Sequence, residues 1–292
     1  MTETTRVVRD GLVMGESPRW HDGRLWVSDW GAREILAIDP GGAAEVVVAD
    51  APALPFCIDF LPDGRLLIVA GREGRIVRRE HDGTLVTHAD LSALAPPPWN
   101  DIVVDAAGNA YVGNTGFDFP GGEFAPGMVA LVAPDGTARQ VADGFAFPNG
   151  VAITADRRTL IQAESYGNRL TALDIAPDGG LSGRRVWADL GDGVPDGICI
   201  DADGAVWTGV GGMGDNLVAR VREGGEVLER VQLDLPCFAC MLGGEDGTTL
   251  FMLAADWRMT EGFEENIARL TEGPRTGRLL TAVAPAAGAG WP

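Results

Sequence analysis

One unit recurs six times along the 292 residues, and that recurrence restricts the fold more than any single motif. Its anchor is a tight turn followed by a short apolar strand, as in Asp22-Gly23 before Arg24-Leu25-Trp26-Val27 and Asp63-Gly64 before Arg65-Leu66-Leu67-Ile68-Val69. The other copies begin at Ala107-Gly108, Asp156-Arg157, Asp203-Gly204 and Asp246-Gly247. The second turn positions (23, 64, 108, 157, 204 and 247) are 41, 44, 49, 47 and 43 residues apart. A period of roughly 40 to 50 residues with several short strands per unit is that of a propeller blade.

The second half of each unit is a further apolar run closed by a turn, such as Arg33 to Ile38 before Asp39-Pro40-Gly41 or Met128 to Val132 before Asp135-Gly136. The sixth copy, Gly277 to Ala282, lacks its turn. Apolar and β-branched runs separated by Asp-Gly and Gly-Gly are a hairpin signal. No apolar stripe of helical period persists for ten residues, so the prediction is all-β. Six four-stranded antiparallel blades account for residues 1–292 as one domain, around a central channel. Residues before Gly11 are expected to pair with the C-terminal strands and latch the ring, leaving no free sheet edge.

Charge narrows the partners. The chain has 42 acidic and 23 basic residues, a formal net charge of −19, which argues against nucleic acid. No basic segment followed by an apolar core opens the chain, and no 18-residue apolar run occurs, so the expectation is a cytoplasmic protein with no membrane span. Nothing implies an obligate protein partner.

Several chemistries are weakly supported. Cys57, Cys199, Cys237 and Cys240 are too few for a disulfide scaffold, and Cys237-Phe238-Ala239-Cys240 lacks the strand-to-helix setting of a redox motif, so core or channel-lining thiols are expected. The histidines, His21, His81 and His88, have no metalloprotease spacing, and no G-x-S-x-G elbow is present. Gly209 to Gly214 satisfies G-x-G-x-x-G, yet a strand at Leu217 to Val221 follows where a dinucleotide site needs a helix.

Counting back eight residues from the second turn positions gives Phe56, Asn100, Asn149, Asp196 and Ala239; in the first unit Glu16 stands seven back. Rotational symmetry would carry these positions to one ring around the axis, although up to 180 residues separate them. Asn-Gly and Asp-Gly are also ordinary turn dipeptides, so each match alone is weak. Together, two carboxylates and two carboxamides form a hard oxygen set suited to calcium or magnesium, with manganese or zinc possible at an open site. A structural calcium on the axis is the competing reading.

At these residues the chain closely resembles the SMP-30/gluconolactonase/LRE-like family of regucalcin-like lactonases. The resemblance is carried by Gly15-Glu16-Ser17-Pro18, Asn100-Asp101, Phe147-Pro148-Asn149-Gly150, Ala163-Glu164-Ser165 and Pro195-Asp196-Gly197-Ile198. It implies a six-bladed propeller with one divalent ion, calcium foremost, held by Glu16, Asn149 and Asp196, and a lactone or ester substrate. Asp196 would also be the general base, with Asn100 at the ion or the substrate. Trp30, Arg72, Trp99, Asn114, Phe117, Glu164, Tyr166 and Trp257 are expected to line the pocket, with Phe119 a further aromatic candidate. Two departures bear on substrate. Pro98 stands where sugar-lactone hydrolases of the family often have Arg, which weakens the case for a polyhydroxylated substrate, and Thr208-Gly209-Val210-Gly211-Gly212 replaces an Asp-Pro-type segment. The alternatives are a non-enzymatic calcium- or ligand-binding propeller, or another hydrolase or isomerase reaction at the same ion.

Overall fold

The computed structural model describes residues 5–210, 216–258 and 261–292. Six four-stranded antiparallel sheets follow one another along the chain and form the blades of a propeller. Their innermost strands are Gly15–His21, Ile58–Phe60, Trp99–Val104, Pro148–Ile153, Pro195–Ile200 and Cys237–Gly243. Adjacent blades pack face to face, so inner strands are covered on both sides and read as continuous apolar runs; Leu66–Ala70 is buried at every position. Outermost strands such as Leu85–Asp90 and Leu181–Asp189 are largely exposed and polar.

The ring closes as the N-terminal residues predict. Arg6–Leu12 pairs with Gly277–Val283 and completes the sixth blade as its outermost strand. The C-terminal segment then leaves that blade and crosses to its neighbours, bridging Gly288 to Asp201 of blade five and Trp291 to Ile153 of blade four. The two ends of the chain therefore hold three blades.

Among the described residues one α-helix departs from the all-β reading. This helix, Phe263–Glu272, lies in blade six between Thr249–Ala254 and Gly277–Val283, and the sixth repeat lacks its closing turn because its outermost strand is Arg6–Leu12 and no hairpin follows. Gly262 N donates to Glu265 Oε2 at 3.0 Å, half of a capping box, and Arg269 occupies the last turn. Leu270 is buried and Ile267 packs beside it against the core of the first blades. Phe263, Ile267 and Leu270 carry the i, i+4, i+7 spacing that betrays the helix, but ten residues amid strand signals conceal it. Of the G-x-G-x-x-G match, Gly211 to Gly214 lie outside the described residues; Leu217–Val221 is a strand.

Candidate metal and substrate site

Five of the six innermost strands shift register close to their starts. The irregularities fall between Glu16 and Arg19, Trp99 and Ile102, Pro148 and Val151, Pro195 and Ile198, and Cys237 and Ala239. A bulge re-aims the side chain it carries. Four of the bulges bear Glu16, Asn100, Asn149 and Asp196, and all four side chains line one cavity of about 690 Å³ that gathers the strand starts.

Gly150 and Gly197 are needed for this convergence rather than for turns, since both lie inside strands. A Cβ on Gly150 would stand 2.3 Å from the Asp196 carbonyl oxygen, and one on Gly197 2.4 Å from Ala239 Cβ. Gly150→Ala is therefore expected to push blades four and five apart at the site, costing about 1–3 kcal/mol by thermal denaturation. A melting temperature equal to that of the parent would disprove this role.

The cluster is hydrogen-bonded internally. Asn100 Nδ2 donates to Asn149 Oδ1 at 3.1 Å, Asn149 Nδ2 to Ser165 Oγ at 3.2 Å, and Ser165 Oγ to the Pro195 carbonyl at 2.7 Å. Glu16 Oε2 accepts from Ser17 N at 3.0 Å. Asp196 Oδ1, by contrast, is buried with no hydrogen-bond partner. Burial, then the charge of Asp101, pushes the Asp196 carboxyl up to about 8. Burial, then the charge of Asp196, holds Glu16 well above the usual carboxylate range. Two mutually repelling carboxylates with an orphaned oxygen are a site short of positive charge.

Among the described residues no three His, Cys, Asp or Glu side chains form a metal-binding group, so the expected metal-containing channel does not rest on such a cluster. Its physical reason is the donor set: two carboxylates and two carboxamides. That set still fits a hard divalent cation, because Asp196 Oδ1 lacks a partner and Glu16 is available beside it.

Deeper along the channel, Arg19 lies between Asp59 at 3.5 Å and Asp101 at 3.2 Å, all three buried. Burial outweighs the pull of Arg19 and raises Asp59 to about 6. This triad was not singled out from the sequence, although an Arg on an innermost strand was the available signal. Its second carboxylate, Asp101, helps keep Asp196 protonated.

Trp30, Arg72, Tyr166, Trp257 and Phe119 line the cavity with the oxygen cluster. Trp99, Asn114, Phe117 and Glu164 do not. Trp99 is fully buried in the core of the first blades. Asn114 holds its own loop, donating to the Pro96 carbonyl at 2.8 Å and accepting from Gly116 N at 2.9 Å. Phe117 stands behind the wall, against Phe119 and Phe147. Glu164 is fully buried; burial would raise its carboxyl, but Arg169, the Ala146 N–H and Thr171 together hold it below the ordinary range. Its bond from Ala146 N, at 2.7 Å, fixes the turn that carries Phe147 and Asn149. Sequence reading missed Ser165, Phe147, Phe238 and Phe263 as lining residues.

All four cysteines are free and buried, Cys237 at the cavity and Cys199 and Cys240 in the core. His21 stacks on Phe60 at 3.8 Å and borders a separate cavity formed by the strand ends.

The chain is similar to known proteins in both sequence and fold. The family model described as the SMP-30/Gluconolactonase/LRE-like region matches residues 14–256. Pentonolactonase XacC of Haloferax volcanii is 29% identical over 213 residues, 70% of this chain and 69% of that protein. Regucalcin of Xenopus laevis is 26% identical over 97% of both chains. The solved structure of a calcium-binding protein, regucalcin, from Agrobacterium tumefaciens superposes with a TM-score of 0.75 at 21% identity, covering 99% of this chain and 96% of that one. With the match running from the first bulged strand to the loop beyond the sixth blade's second strand, the chain belongs to the SMP-30/gluconolactonase/LRE-like family.

Proposed function

We propose that this protein hydrolyses a lactone, or a related carboxylic ester, at a divalent cation held by Glu16, Asn149 and Asp196. The observation that supports it most is the unpartnered, buried Asp196 Oδ1 beside a second carboxylate and two carboxamides in one cavity. The relatives named as a pentonolactonase and as calcium-binding regucalcin support the same reading. Calcium is the first choice of ion because every donor is oxygen; magnesium, manganese and zinc are the others to test. When bound, the cation offsets the two negative charges and polarises the lactone carbonyl.

The remaining steps belong to the chain. Asp196, ionised once positive charge is near, accepts a proton from the attacking water. Asn100, through the Nδ2 hydrogen not used by Asn149, would donate to a substrate oxygen where charge grows during attack, and so bind the transition state more strongly than the ground state. Glu16 and Asn149 keep the geometry, with Asn149 held from the other side by Ser165. Attack on the acyl carbon breaks its bond to the ring oxygen, which leaves with the proton that Asp196 took from the water, and the product is a hydroxy acid.

Titration at constant pH with sugar, aliphatic and aromatic lactones, in calcium, zinc, manganese or magnesium and in chelator, tests the proposal. Ring opening stimulated by a cation and abolished by chelation is the expected result. Tight cation binding with no turnover across the panel would instead favour a binding propeller, and calorimetry reads that binding directly.

A further inference from the structure

Six aromatic side chains on the cavity wall form an unbroken arc: Tyr166, Phe147, Phe119, Phe263, Trp257 and Phe238. Consecutive ring centroids are 4.9, 4.9, 4.8, 5.5 and 5.7 Å apart. The closest pair joins a loop of blade three, through Phe119, to the helix of blade six, through Phe263. Blades three and six are opposite in a ring of six, so these two rings bridge the mouth above the oxygen cluster. At one end of the arc Tyr166 and its neighbour Phe124 remain 53% and 51% exposed, 6.1 Å apart. Large apolar surface left open at a pocket mouth marks a site of contact.

Several polar groups of the aromatic wall already have protein partners. Arg72 donates to Asp118 at 2.7 Å and to the Phe119 carbonyl. Asp234 is paired with Arg278 at 2.6 Å, Asp256 with Arg269 at 3.0 Å, and Thr115 Oγ1 donates to the Phe117 carbonyl at 3.0 Å. A substrate with several ring hydroxyls would have to share donors and acceptors that already hold protein partners. An apolar substituent would gain contact along the arc.

We infer that the site takes lactones bearing an aromatic or extended alkyl substituent, rather than polyhydroxylated sugar lactones, with the aromatic arc as the specificity determinant. This rests on the lactonase reading above. For wild-type protein with calcium, kcat/KM for γ-phenyl-γ-butyrolactone or γ-nonalactone should exceed that for glucono-δ-lactone by about 100-fold or more. Phe263→Ala should shrink the ratio of phenyl-substituted to unsubstituted γ-butyrolactone by about tenfold.

Binding separates the two claims, because the lactam 5-phenyl-2-pyrrolidinone resists ring opening and can be titrated calorimetrically into the unmutated protein. Heat of binding for this lactam and none for a gluconolactam upholds the substrate class even if no lactone turns over, an outcome that would reject the lactonase reading alone. Faster turnover of glucono-δ-lactone would overturn the substrate class and leave the lactonase reading standing. Absence of both lactam binding and turnover would overturn both.

Discussion

Asp196→Asn is expected to lower lactone turnover by about 10²–10⁴-fold, the usual contribution of a positioned general base. The substitution preserves shape and removes only the capacity to take a proton and to carry charge. It also removes one of two repelling carboxylates from the cavity, since the charge of Asp196 raises Glu16. In chelator at pH 8 the variant should therefore melt above the parent, a gain in stability paired with a loss of activity. Stopped assays and scanning calorimetry on the same preparation check both halves. Near-parental turnover with the cation still bound would reject Asp196 as the base.

The second large effect is linkage between pH and the cation. Asp196 in the fold is raised to about 8, and Glu16 is raised in the same direction, whereas both titrate near the ordinary carboxylate range when unfolded. Between those limits the native state binds more protons than the unfolded state, so stability falls as pH rises. Chelated protein should thus lose melting temperature from pH 5 to pH 8. A cation that binds only the native site at a hundredfold excess over its Kd adds about 2.7 kcal/mol. For a chain of this size that is about 5 °C. The gain should be larger at pH 8 than at pH 5, where protons compete for the same oxygens. A calcium effect independent of pH would show that these two carboxylates are not its ligands.

The blades were legible because an inner strand covered on both faces must be apolar throughout, so each repeat announces itself as a turn and a run. The phase of Glu16, Asn100, Asn149 and Asp196 was legible for the same reason: symmetry needs only counting. What turned those side chains toward one another was not. The bulges and the missing Cβ atoms of Gly150 and Gly197 depend on how neighbouring blades approach, and no local propensity records it. Glu164 and Asn114 follow inner strands as pocket residues do, yet each is consumed by hydrogen bonds within its own blade. The helix bearing Phe263 escaped because its apolar positions fit between strand signals, and with it went the contact between opposite blades.

The seam in the sixth blade also sets an order of events during synthesis. Blades one to five can each be completed from continuous stretches as they emerge from the ribosome. Residues Gly277–Val283 are made after all five of those blades, and only then can Arg6–Leu12, made before any of them, find its partner. Until then the outer edge of the sixth blade is unpaired, and closing it joins a segment that precedes the first blade to one that follows the fifth.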